Sequence, residues 1–146
     1  VTYLAAAYRG AGRVEDCQTC AERALTLSER EGTLAYVAAA RANLGWAAWK
    51  RNDLRQAKAL SLSALEMWGA GYPFRWLALW TLIDLSLLNS RADEALEYAR
   101  KLKEPHQQIF AKEGDELLTQ ALSADAENAA SLLAQALEWA KRRGYL

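Results

Sequence analysis

The sequence contains few residues that break helices and few that perform chemistry. Its 146 residues include two prolines, eight glycines, two cysteines and one histidine. The scarcity of proline and glycine disfavours strand-rich folds, which need frequent turns, and fits a chain made mostly of helices. One histidine and two cysteines cannot supply the roughly four ligands that a structural zinc site requires. We therefore predict no metal, no cofactor and no catalytic activity.

Net charge is also absent, because 18 basic residues balance 18 acidic ones. Without a net positive field, the chain is not drawn to a phosphate backbone or an anionic membrane surface. The longest apolar stretch, 74–88, is interrupted by polar residues and is too short to span a bilayer. These absences predict neither nucleic acid nor membrane among the partners, and a cytoplasmic location.

Hydrophobic residues make up 52% of the chain and charged residues 25%, the usual balance of a folded domain. The opening residues, 1–10, already have the character of a helix interior with no cap before them. We therefore expect the sequence to be a piece of a larger protein.

A spacing of small residues repeats along the chain. Cys17, Ala21 and Ala24-Leu25 are followed forty residues later by Ala57, Ser61 and Ala64-Leu65, and looser copies are Ala95, Ala99 and Leu102, and Ala129, Leu133 and Ala136-Leu137. Small residues spaced by four and then three lie on one stripe of a helix, where a neighbouring helix can approach closely. With a further helical stretch before each stripe, the pattern predicts eight helices, at about 1–11, 14–31, 34–51, 53–69, 73–89, 91–104, 105–122 and 126–143.

Local signals support these boundaries. Gly12, Gly32, Gly71 and Gly144 stand where helices are expected to end in the left-handed conformation, Pro73 and Pro105 where helices begin, and Asn52, Ser90 and Asp125 at N-caps.

The repeat resembles the tetratricopeptide repeat family. The matching residues are Leu44-Gly45, Asn52-Asp53, Ala57 and Ala64-Leu65 in the second unit and Leu4-Ala5, Tyr8, Gly12, Cys17 and Ala24 in the first. The resemblance implies a single all-α domain over 1–146, a right-handed α-solenoid of about four antiparallel helix pairs at 1–32, 33–71, 72–104 and 105–146. Units of about forty residues are similar to the long repeats of bacterial transcriptional activators and nucleotide cyclases, which act as regulatory arms.

The resemblance also implies a concave groove lined by the first helix of each pair. Its partner-binding positions would be Arg9, Trp46, Trp49, Lys50, Trp80 and Asp84. Independently, Trp46 and Trp49 share a helical stripe, as do Trp80 and Asp84. Exposed tryptophans are frequent hot spots for binding, so three of them facing one another would hold a partner. The alternative is that these tryptophans fill the core.

The resulting hypothesis is a protein-interaction module that binds a peptide or helix in this groove. The alternative is a sensor arm in which the same aromatic groove stacks on a sugar or another planar small molecule. A homodimer through an exposed apolar end also stays open. The helix at 73–89 is apolar almost all round, which indicates either such an interface or a helix wrapped by the rest of the chain.

Two features that suggest chemistry have simpler explanations. Cys17 and Cys20 form a CxxC motif, but Cys17 lies in the small-residue stripe, so we expect a buried, reduced thiol rather than a redox or zinc site. His106 follows a proline where a helix is expected to start and is interpreted as a surface residue of a turn.

Overall fold

The computed structural model describes all 146 residues and consists of eight α-helices without a strand, which confirms the predicted all-helical class. The helices are α1 (Thr2–Gly10), α2 (Val14–Glu31), α3 (Leu34–Lys50), α4 (Leu54–Met67), α5 (Trp76–Leu88), α6 (Ala92–Leu102), α7 (Lys112–Ser123) and α8 (Ala126–Arg142). Consecutive helices pack as pairs, and the first helices of the first three pairs, α1, α3 and α5, lie side by side. This is the helical repeat stack that the spacing of small residues predicts.

The small-residue stripes form the seams between the helices, as predicted. Every small residue of the four stripes is buried, from Cys17 in α2 to Ala136 in α8, whereas Leu25 and Leu65 beside them are half-buried. Gly45 shows how tight the α3–α4 seam is, because a Cβ built on it would lie 2.7 Å from Ser61 Oγ and 3.2 Å from the Ala57 carbonyl oxygen. The two helix backbones can approach this closely only because position 45 has no side chain.

Several of the predicted helix ends are confirmed. Gly12, Gly32 and Gly144 are left-handed, with φ of 70°, 69° and 77°. The Asp125 carboxylate accepts the Asn128 amide and caps α8, as predicted.

Other predicted signals are wrong. Asn52 and Ser90 are left-handed turn residues rather than caps, with φ of 63° and 56°. Asp53, one residue further, caps α4 by accepting the Gln56 amide. Gly71 does not have a positive φ.

The predicted helix starts at the two prolines are also wrong. Pro73 lies in the turn before α5, which begins at Trp76, and Pro105 lies in the connection 103–111, seven residues before α7 begins at Lys112. His106 in this connection has a φ of 72°, a conformation that an α-helix cannot contain. The chain therefore leaves α6 through an irregular segment instead of a tight turn.

The apolar helix α5 is wrapped by the rest of the chain. Its ten consecutive residues from Leu77 to Ser86 are buried, and α3, α4, α6 and α8 all contact it. The sequence left open whether this helix forms an interface or is wrapped by the rest of the chain. The structure shows that it is wrapped.

The fourth helix pair does not repeat the geometry of the first three. The helix that contacts α5 is α8, whereas α7 contacts α6 and not α5. The pair α7–α8 is itself close, because a Cβ on Gly114 would meet the Trp139 ring at 2.5 Å. The irregular connection 103–111 gives this pair the freedom to turn its second helix toward the stack.

The C-terminal turn closes back on α1. Gly144 packs on Gly10 so tightly that an added Cβ would be 2.5 Å from the Gly10 carbonyl oxygen. Leu146 is buried, and the Tyr145 ring stacks on Trp139 with centroids 5.5 Å apart. The end of the chain thus fills part of the space in front of the first helices.

Candidate functional site

Four of the six predicted groove residues are buried, three of them almost completely and Asp84 with 8% of its surface exposed. Arg9, Trp46 and Trp80 are at most 1% exposed, so the expectation that they line an open groove is wrong. Trp80 is covered by Phe110 and Trp139, whose rings lie 5.5 Å and 6.3 Å from it. The core-filling alternative therefore holds for Trp46, which Arg9 covers, and for Trp80, which the connection 103–111 and α8 cover.

Arg9 lies inside the stack and joins three parts of the chain. Its Nη1 donates to the Leu77 carbonyl in α5 and its Nη2 to the Tyr145 carbonyl, both at 2.6 Å. The guanidinium carbon is 5.6 Å from the Trp46 ring centroid and 5.3 Å from that of Trp76. Burial lowers the pKa of Arg9 to about 9, and the nearby Cys17 thiol offsets this in part. Its role is to tie α1 to α5 and to the C-terminal turn.

The other three predicted residues come together with Lys141 of α8. Trp49 Nε1 donates to Asp84 Oδ2 at 2.7 Å, and Lys141 Nζ lies 3.9 Å from Asp84 Oδ1. Lys50 Nζ is 4.8 Å above the Trp49 ring centroid, and Lys141 Nζ is 5.9 Å from the same centroid. We call Trp49, Lys50, Asp84 and Lys141 the Trp49 patch.

Positive charge is in excess at the Trp49 patch. Arg9, Lys50 and Lys141 bring three positive charges close to one another, whereas only Asp84 and Glu138 pair with Lys141 and Lys50 makes no ion pair. Burial, then the nearby charges of Lys141 and Arg9, lower the pKa of Lys50, and Asp84 offsets this in part. An additional negative group would relieve this repulsion.

An exposed apolar residue adjoins the patch. Leu88, at the end of α5, is 61% exposed. A shallow cavity of about 190 Å³ joins Leu88 to Asp84 and Lys141 of the patch and to Leu137 of α8. Charged and apolar contacts are therefore available to one and the same partner segment.

A second site, which the sequence did not reveal, lies at the other end of the first helices. We call it the aromatic pocket; its walls are Tyr3 of α1, Tyr36 of α3, Tyr72 and Phe74 of the turn before α5, and Trp76. Its volume is about 90 Å³. The walls are held in place by further ring contacts, since Tyr72 stacks on Trp68 at 4.9 Å and meets Phe74 edge-on at 5.8 Å.

Asn43 of α3 also lines the aromatic pocket. It is fully buried, and neither its Oδ1 nor its Nδ2 has a hydrogen-bond partner. An unpaired buried amide is costly in a folded protein, which makes it a marker of function or of a missing partner. The signal in the sequence was a lone asparagine in the apolar run of α3.

The cysteines have the structural role that the sequence predicted for Cys17. Cys17 is fully buried between helices, Cys20 is half-buried, and neither forms a disulfide. Burial raises the pKa of the Cys17 thiol to about 11, which opposes nucleophilic chemistry. His106 is exposed, as expected of a turn residue. No three residues of the types that bind metals form a cluster.

With the fold and these two sites described, comparison with known proteins bears on the first half of the chain. Residues 1–70 match the tetratricopeptide repeat family model. The matched tetratricopeptide segment holds α1–α4, and therefore Lys50 and Trp49 of the Trp49 patch and Asn43 of the aromatic pocket. No curated protein and no solved structure matches the chain.

Tetratricopeptide repeats are non-catalytic modules that generally mediate interactions between proteins. The second half of the chain continues the helical stack but lies outside the matched segment. No helix of the protein combines the length and the apolar character needed to cross a membrane.

Proposed function

We propose that the protein is a protein-interaction module that binds an acidic peptide segment at the Trp49 patch. The observation that carries the proposal is Lys50, an exposed cation without an ion pair, held above the Trp49 ring beside Lys141. A carboxylate of the partner would form an ion pair with Lys50, and an aliphatic side chain of the partner would cover Leu88.

The family supports the class of partner, because a tetratricopeptide segment supplies α1–α4 and such repeats take proteins or peptides. The C-terminal turn packs on α1 and fills part of the predicted groove, so we expect the partner to bind beside it. Binding would occur at the Trp49 patch, where the end of α3 meets α5 and α8. A groove open along its whole length is not available, since Arg9, Trp46 and Trp80 are covered. These three residues would then position the patch without touching the partner.

The experiment is a selection of random peptides displayed on phage, with the whole chain as bait. We expect the enriched peptides to combine Asp or Glu with a neighbouring Leu or Ile. Reversal of both charges, Lys50→Glu with Lys141→Glu, should weaken these peptides by at least about tenfold, or about 1.4 kcal/mol. Binding should also weaken with added salt, because the contact is charged and near the surface.

The matched control is Lys112→Glu, which reverses one charge on an 87% exposed side chain of α7, together with circular dichroism to verify each fold. Equal affinity of the selected peptides for the wild type and the doubly reversed variant would place their binding elsewhere and contradict the proposal.

The wider setting stays a prediction. A regulatory arm of a larger bacterial protein, a cytoplasmic location, a homodimer and the absence of catalysis, of nucleic acid and of membrane partners all rest on the sequence argument. The small-molecule sensor has a structural feature in its favour, the aromatic pocket, which is separate from the Trp49 patch.

A further inference from the structure

We propose that the aromatic pocket binds a small neutral molecule that presents a planar terminal amide to Asn43. The proposal goes beyond peptide binding at the Trp49 patch and does not depend on it. It stands on four features of the pocket: its aromatic walls, its buried asparagine, its lack of charged groups and its size.

The walls favour a flat group. Tyr36, Tyr72, Phe74 and Trp76 surround the cavity with rings from two separate segments of the chain, and Tyr3 of α1 adds a third. Aromatic rings gain from offset or edge contacts with another planar π group beyond the area that they bury. Tyr3 and Tyr36 are 70% and 42% exposed and form the rim, so they can move aside as a ligand enters.

The asparagine specifies the hydrogen bonds. A carboxamide offers one acceptor and two donors side by side, and Asn43 uses none of its side-chain hydrogen-bonding groups within the protein. A ligand amide has the complementary donor and acceptor at the same spacing, so one ligand group would satisfy both Oδ1 and Nδ2. Trp76 Nε1, also buried without a partner, provides a further donor in the same wall.

The ligand must be neutral where it enters. Apart from the three phenols, no ionisable residue lines the pocket, and burial together with the neighbouring phenols raises the pKa of Tyr72, which therefore stays protonated. The Arg9 guanidinium lies 5.3 Å from the Trp76 ring centroid, so a cationic ligand would meet an existing positive charge nearby. An anion would lose its hydration on entering, and no cationic side chain lines the cavity to pair with it.

The size selects a terminal amide. A cavity of about 90 Å³ corresponds to about three water molecules at their liquid volume of about 30 Å³ each. A terminal amide and the edge of its ring fit, with the remainder of the ring between the rim tyrosines. A main-chain amide of a peptide carries a Cα on each side, which would hold it outside the rim. Within a peptide, only the side chain of glutamine or asparagine could therefore present a terminal amide to the pocket.

The test is a titration of the whole, isotope-labelled chain followed by ¹H–¹⁵N NMR. The probes are benzamide, N,N-dimethylbenzamide, which has no amide N–H, benzoate, which is charged, and N-acetyl-glutamine N-methylamide, which represents a peptide side chain. We expect benzamide to shift the Asn43 side-chain NH₂ and the Trp76 indole N–H resonances. The dimethyl compound and benzoate should bind at least about tenfold more weakly, because a buried hydrogen-bonding group rejects analogues that cannot pair with it.

Variants assign the effect to the pocket. Asn43→Leu keeps the branched shape of the side chain without its hydrogen-bonding groups and should bind benzamide and its dimethyl analogue equally. Tyr36→Ala, at the exposed rim, tests the walls without relying on a core substitution and should weaken benzamide severalfold. The Lys50→Glu/Lys141→Glu variant should keep full benzamide affinity, so that a failure of the peptide proposal is recognised separately.

Three results would overturn the proposal. The first is the absence of shifts at Asn43 and Trp76 with benzamide at millimolar concentration. The second is equal affinity of the wild type for benzamide and its dimethyl analogue. The third is binding of the glutamine compound alone, which would assign the pocket to a peptide side chain.

Discussion

At the scale of single residues, two buried polar groups have opposite relations to their surroundings. Asn43 has no partner for its amide, whereas Arg9 donates to two carbonyl oxygens and contacts two indole rings. The contacts of Arg9 therefore stabilise the folded state, whereas the unpaired amide of Asn43 destabilises it. Such a loss persists in a protein when the group serves another purpose.

This difference predicts the effect of replacing Asn43 on stability. Asn43→Leu should raise the free energy of unfolding by about 1 kcal/mol, because it removes the desolvation cost of an unpaired amide. Asn43→Asp should lower it, because a carboxylate would be buried without a cation in contact. Urea denaturation of the two variants beside the wild type measures both effects. A lower stability of Asn43→Leu would mean that a bound water satisfies the amide.

Cys17 predicts a dependence of stability on alkaline pH. Its folded-state pKa of about 11 exceeds the ordinary thiol pKa of 9.0, so between these values the folded state binds a proton that the unfolded state has lost. The contribution of Cys17 is thus complete below pH 9.0 and decreases as the pH rises toward about 11. Cys17→Ala should show a shallower loss of stability across this window in denaturation experiments. Cys20→Ala, at a half-buried position of the same helix, removes only the smaller contribution of this neighbour to the raised pKa of Cys17 and should change the slope less than Cys17→Ala does.

At the scale of helices, the seams decide how closely the pairs pack. The α3–α4 seam is the clearest case, because Gly45 brings the backbone of α3 against Ser61 and the Ala57 carbonyl. The α7–α8 pair uses Gly114 against Trp139 in the same way.

Gly45→Ala tests the seam. The added methyl would force α3 and α4 apart, so the free energy of unfolding should fall by about 1–3 kcal/mol, the usual cost of overpacking. Gly69→Ala is the control, since a Cβ there meets nothing within 4 Å and Gly69 does not have a positive φ. Thermal and urea unfolding of both variants gives the comparison. Equal stability of the two variants would show that Ser61 can turn aside at no cost.

Most helix boundaries could be predicted because their signals are local. The left-handed glycines at 12, 32 and 144 and the Asp125 cap act within one turn of the chain. The start of α7 could not be predicted from Pro105, because proline tolerates a helix start and an irregular segment equally well. The start of α7 depends instead on the packing of Phe110 against Trp80 and Trp139, which is a contact between distant parts of the sequence.

At the scale of the whole molecule, the C-terminal turn converts an open stack into one that is partly closed. Gly144 touches Gly10, Arg9 bonds the Tyr145 carbonyl, and Leu146 is buried in the main core. Contacts between the first and last helical turns join ends that a simple solenoid keeps apart. Unfolding should consequently be more cooperative than in a stack with free ends.

Gly144→Ala tests this closure against a matched glycine. Gly12→Ala shares the positive φ and should cost about 1 kcal/mol from left-handed strain alone. Gly144→Ala adds a clash with the Gly10 carbonyl, so its loss should be larger by about 1–3 kcal/mol. Trypsin cleavage at 141–143 should also become faster in Gly144→Ala only. Equal losses and equal cleavage would mean that the turn is not held by α1.

The sequence by itself determined the eight helices, the buried small-residue stripes and the structural role of Cys17, since periodicity and capping act within a few residues. Tertiary structure decided which aromatic residues face water. Trp46 and Trp80 were expected in a groove but are covered by Arg9 and by the rings of Phe110 and Trp139. The aromatic pocket likewise exists only once α1, α3 and the turn before α5 are assembled. A helical period tells which residues share a face, but only the packing of distant segments determines what that face meets.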